Sequence, residues 1–94
     1  TQCYRCPNDT HVMNKKQEIL VILAEECAEV AQECMKGLRW PDDPSRIQKL
    51  TAEVGDLMAL LDFAIEEELI DSSMILGYKD MKKEKLLEYS QHLK

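Results

Sequence analysis

Apolar and polar residues in this chain recur with the period of a helix, and no stretch alternates as a half-buried strand would. Winding the first long segment at about 100° per residue puts Ile19, Ile22 and Val30 on one side. Asn14 and Gln17 have the spacing of a capping box and Gly37 suits a stop, so a first helix is predicted from about Asn14 to about Lys36. The string GLRWPDDPS then reads as a loop. Ser45 and Gln48, behind Pro44, form a second candidate capping box, and a second helix is predicted from near Arg46 to about Leu69. Between Leu57 and Ile65 only Asp62 is polar, so this half of the second helix needs cover nearly all round. Packing against the same segment of another copy would supply it, and a homo-oligomer is expected. The stretch EEELIDSS ends the helix, with Asp71 or Ser72 able to cap a third. Residues 73 to 93 read as one helix, or as two short ones broken near Gly77. The expected class is all-α: a helical bundle of two long antiparallel helices with one or two C-terminal helices, oligomerising to complete a four-helix core.

Length and charge narrow this further. At 94 residues the chain is one domain. MNKKQEIL, beginning at Met13, looks like a natural start, so residues 1–12 are expected to be an extension or leader and 13–94 the functional domain. A net charge of −6 argues against unassisted nucleic-acid binding, because phosphate backbones need a basic surface. No apolar run approaches the roughly 20 residues of a membrane span, and the first residues lack a signal-peptide pattern, so a cytoplasmic location is expected. Cys27 and Cys34, seven apart on the apolar side of the first helix, are expected to be free thiols acting as small hydrophobes. Cys3 and Cys6 have the spacing of a zinc knuckle, but only His11 and Asp9 stand nearby to complete four ligands. A structural or incidental role is expected for that pair.

The candidate chemistry lies in acids at the edge of apolar stripes. In LAEECAEVAQEC, residues 23–34, Glu26, Glu29 and Glu33 share a side with Ile19, Ile22 and Val30, while Glu25 falls on the flank beside Gln32. Burying a carboxylate without a partner is costly, so a basic group or a metal ion should compensate Glu26. The second helix repeats the arrangement: Glu53 and Asp56 lie one turn apart among Leu50, Leu57, Leu60 and Phe63, with Lys49 a turn before. Antiparallel packing would bring Glu26 and Glu29 to face Glu53 and Asp56. Four such carboxylates repel one another unless some hold protons or a divalent cation neutralises them. Oxygen ligands without Cys or His favour Mg²⁺, with Mn²⁺ a possible substitute, and magnesium held by a few carboxylates keeps positions for water and phosphates. A phosphorylated small molecule is the expected ligand. A di-iron bundle would require Glu-x-x-His on two helices, and neither His11 nor His92 follows a glutamate by three.

EECAE at 25–29, followed after a loop by EVGD at 53–56, resembles the EExxE…ExxD signature of the MazG-like, all-α nucleoside triphosphate pyrophosphohydrolases. The resemblance covers roughly residues 15 to 70. It implies that Glu26, Glu29, Glu53 and Asp56 hold Mg²⁺, that Glu25 assists from the edge of the site, and that Lys49 touches the triphosphate. It also implies hydrolysis of a nucleoside triphosphate to the monophosphate and pyrophosphate by a homodimer or homotetramer, for nucleotide house-cleaning or pool control. Trp40 and Tyr78 are candidates to stack on a base, although Trp40 beside Pro41 equally suits pinning the loop. Among Lys79, Lys82, Lys83 and Lys85, Lys82 is a candidate for phosphate, while a solvated face accounts for most of them. The competing readings are pyrophosphohydrolysis of another nucleotide derivative and a non-catalytic helical module that binds a partner helix.

Overall fold

A computed structural model describes residues 13–93. Cys3, Cys6, Asp9 and His11, and the boundary expected at residue 12, lie outside the described residues. Three helices and no strand make up the described part: α1 (Lys15–Arg39), α2 (Ser45–Glu66) and α3 (Ser72–Tyr89).

Helix α1 begins where the sequence places it. The Gln17 N–H donates to Asn14 Oδ1 at 2.8 Å and the Asn14 N–H donates to Gln17 Oε1 at 2.9 Å, a complete capping box. The helix passes through Gly37 and ends three residues beyond the expected stop, at Arg39. Pro41 is the reason: a proline disfavours helical backbone in the residue before it, and Trp40 takes φ −130° and ψ 69°.

Ser45 does not cap α2. It is the first helical residue, and its N–H and hydroxyl both donate to Asp43 Oδ1, at 2.9 and 2.7 Å. The aspartate bends the chain into the helix, so the Ser45–Gln48 spacing is incidental. At the other end Glu68 adopts a left-handed φ of 59°, and the Leu69 N–H reaches the Ala64 carbonyl at 2.9 Å while the Glu68 N–H reaches that of Ile65 at 3.0 Å. This Schellman closure stops α2 at Glu66, short of Leu69, with glutamate where glycine is usual. Asp71 caps α3 by accepting from the Ser73 N–H at 2.9 Å, and α3 continues unbroken through Gly77.

α1 and α2 form an antiparallel hairpin. Lys15 pairs with Glu67 at 3.0 Å at the open end, and Arg46 pairs with Glu33 at 3.5 Å near the connecting loop. Those two pairs bracket a common register, in which Ile19 lies opposite Ala64. These are the buried residues among those described, 7% and 0% exposed. α3 is different in kind: every residue from Asp71 to Tyr89 is exposed, and α3 does not pack along either long helix. The cover expected around Leu57–Ile65 comes from the same chain on one side alone, since Met58 and Phe63 remain open to solvent. Cys27 and Cys34 are free, as expected, but exposed: the apolar side that carries them faces away from α2. Among the described residues no helix is long and apolar enough to cross a membrane.

Candidate metal centre

Midway along the hairpin the register places Glu26 of α1 opposite Glu53 and Asp56 of α2. One carboxylate oxygen from each lies within 4.8 Å of the others. The i,i+3 spacing of Glu53 and Asp56 puts both on one edge of α2, and the ion pairs near the two ends of the hairpin hold the helices in the register that aligns them. Glu26 and Glu53 are half-buried while Asp56 is exposed, so the group opens to solvent at one edge.

The electrostatics of the group are those of crowded anions. A hydrogen bond with Glu29, then burial, then the charges of Glu29, Asp56 and Glu26 push the Glu53 carboxyl up to about 7. A hydrogen bond between two carboxyl groups requires a proton, and Glu53 is the group raised far enough to carry it. Glu26 is also raised, first by burial and then by the charges of Asp56, Glu29 and Glu25. Its Oε2 is buried with no hydrogen-bond partner. All five sequence-predicted acids, Glu25, Glu26, Glu29, Glu53 and Asp56, therefore act on one another, with three at ligand distance and two at the edge.

Lys15, Lys36 and Arg46 of the hairpin pair with acids outside the cluster. Arg46 pairs with Glu33 at 3.5 Å and with Asp43 at 3.4 Å, and Lys36 also pairs with Glu33 at 3.5 Å. Glu33, which helical winding groups with Glu26 and Glu29, is thereby drawn into an ion-pair cluster near the loop. A divalent ion fits the remaining acids: three oxygens within 4.8 Å, one of the three carboxylates with a buried, unpartnered oxygen, and protons held against repulsion. An all-oxygen donor set suits Mg²⁺ or Mn²⁺.

The other sequence-predicted residues are not drawn into this cluster. Lys49 is exposed one turn before Glu53; the Asp43 carboxyl is lowered first by its two hydrogen bonds from Ser45, then by the charge of Arg46 and least by that of Lys49. Trp40 stacks with Arg39 at 5.1 Å and with Arg46 at 6.0 Å, which ties the ring to the loop. Tyr78 and Lys82 stand exposed on α3, away from the hairpin's packed face. Arg46 is the residue that sequence reasoning overlooked. It joins Glu33, Asp43 and Trp40, and its three-residue distance from Asp43 was the only local signal. Compared with known proteins, the chain matches no family model, and no curated protein or solved structure matches it.

Proposed function

We propose that the protein is a Mg²⁺-dependent nucleoside triphosphate pyrophosphohydrolase of the MazG-like type, acting as a homodimer or homotetramer. The observation that carries this reading is the convergence of Glu26, Glu53 and Asp56 within 4.8 Å, with an unpartnered Glu26 oxygen buried among them. Glu26, Glu53 and Asp56 would hold the metal, with Glu29 beside Glu53 as the further ligand. When bound, Mg²⁺ supplies the charge that neutralises the triphosphate and favours attack by water at phosphorus.

The protein's own groups do the remaining work. A carboxylate of the cluster not engaged by the metal would take a proton from the attacking water, and Glu25 strengthens the negative field that keeps Glu26 ready for a cation. Lys49 extends from the same side of α2 toward the phosphate chain. Trp40, whose ring lies near the Arg39 and Arg46 guanidinium groups, and the exposed Tyr78 and Lys82 of α3 stand away from the cluster, and the metal chemistry does not use them.

Pyrophosphate and orthophosphate release from a panel of ordinary and damaged nucleoside triphosphates, with Mg²⁺ and with chelator, tests the reading. Metal-dependent pyrophosphate with a monophosphate product is the expected result. Release from a nucleotide derivative outside the triphosphates would retain the chemistry and change the substrate. Silence from a folded protein across the panel would leave the partner-binding module in its place.

A further inference from the structure

α3 divides by charge. Its acids, Asp80, Glu84 and Glu88, recur every four residues along one side. On the other side Ile75, Tyr78, Lys82, Lys85 and Tyr89 are spaced alternately by three and four, the repeat of a coiled-coil seam, with no acid among them. α2 has a seam of matching repeat on the side where the carboxylate cluster opens: Ala52, Asp56, Ala59 and Phe63. Every residue of both seams is exposed.

Three observations join the two seams. The first is register. The chain turns between Glu66 and Ser72, centred on Leu69, and both helices rise equally per residue. An α3 folded back antiparallel to α2 therefore sets opposite one another the residues equally far from Leu69. Ile75 falls on Phe63, Lys82 on Asp56 and Lys85 on Glu53, so an apolar pair lies nearest the bend and both lysines lie at the cluster. The second is charge. From Met13 to Asp71 fourteen acids stand against six Lys and Arg, whereas α3 carries four lysines against three acids. None of the ion pairs among the described residues uses an α3 lysine, and Glu26 Oε2 in the cluster has no hydrogen-bond partner. The third is room to move. A cavity of about 500 Å³ lined by Ile65, Leu69, Ile70 and Ser72 opens in the bend, and α3 packs along neither long helix.

We propose that α3 is a lid that closes along α2 over the carboxylate cluster, with Lys82 against Asp56 and Lys85 against Glu53. Closed, its two ammonium groups give the crowded acids the neutralising charge that a divalent cation would otherwise give them. Lid and cation therefore compete, and the open position of α3 seen here is the one that admits an ion. Closure needs only the acids, whereas the competition rests on reading them as a metal centre.

Carbodiimide, which joins a lysine to a carboxylate in contact with it, tests closure. In an equal mixture of isotope-labelled and unlabelled metal-free protein it should form a Lys82–Asp56 amide within single chains, read by mass spectrometry. No such amide, or one that joins labelled to unlabelled chains, would overturn the lid. Calorimetry tests the competition. Lys82→Gln with Lys85→Gln should tighten Mg²⁺ binding at least about fivefold, whereas Lys79→Gln with Lys83→Gln, the same loss of charge off the seam, should change it less than about twofold. Equal effects of the two pairs, or an amide undiminished in protein saturated with Mg²⁺, would overturn the proposal. Absence of Mg²⁺ binding in every chain would sink the metal reading by itself, with the amide still deciding the lid.

Discussion

The α1–α2 hairpin and α3 are built from similar residues and have opposite standing. Both have a side-chain cap at the N-terminal end, and both are rich in Leu, Ile and Met. In the hairpin the apolar residues fall on defined edges, so a partner helix can cover one of them and fix a register. In α3 the apolar residues Met74, Ile75, Leu76, Met81, Leu86 and Leu87 are spread round the helix, and none is covered. A cap and good helix formers therefore suffice to form a helix, but only an edge with a period places it.

The largest expected effect tests whether the chemistry belongs to the hairpin alone. Glu53→Gln with Asp56→Asn should lower turnover more than about 100-fold and abolish stabilisation by Mg²⁺, while helical content is kept. Loss of the circular dichroism signal would instead show that these acids hold the hairpin together.

Ile19→Ala comes next, because it removes one of the buried side chains; a loss of about 2–5 kcal/mol in urea unfolding is expected. Met81→Ala, 56% exposed, should stay within about 0.5 kcal/mol. If the two cost the same, α3 is covered in solution and the contrast between the regions fails.

Acidity gives a third comparison. Glu53 keeps its proton up to about pH 7 in the folded chain but releases it near 4.5 when unfolded. Between those values the folded state binds more protons, so metal-free stability should fall as pH rises from about 4.5 to about 7 and level off above. Mg²⁺ should flatten that fall. A melting temperature that rises through the same window without metal would contradict the raised Glu53 carboxyl.

The smallest effects concern backbone. Glu68→Gly should stabilise the hairpin by up to about 1 kcal/mol, since glycine accepts the left-handed conformation that glutamate resists. Gly77→Ala, with nothing within 4 Å of the added methyl, should slow amide exchange in α3 with no change in hairpin melting.

Much of the hairpin is legible in the sequence for physical reasons. The Asn14–Gln17 box is a contact between residues three apart, and the acid pair on α2 shares an edge because three residues make most of a turn. Antiparallel pairing comes from a short loop. Choices between equally local options are not legible: Asp43 rather than Ser45 at the start of α2, Pro41 rather than Gly37 at the end of α1, and Glu68 in place of a glycine. Winding groups Glu33 with the cluster because it ignores where an arginine from the other helix will arrive. Cys27 and Cys34 depart from expectation for a related reason: α1 has two apolar edges, and periodicity does not say which one faces α2.

Trp40 is the only tryptophan in the chain, and its ring is held by Arg39 and Arg46 at the turn of the hairpin. Its fluorescence is therefore a site-specific optical signal from the closed end of the hairpin. When α1 and α2 part there, the Arg46 guanidinium of α2 leaves the ring and the emission changes, while events in α3 pass unseen. A fluorescence melt and a circular dichroism melt of the same sample should then separate, the first following the hairpin and the second all three helices.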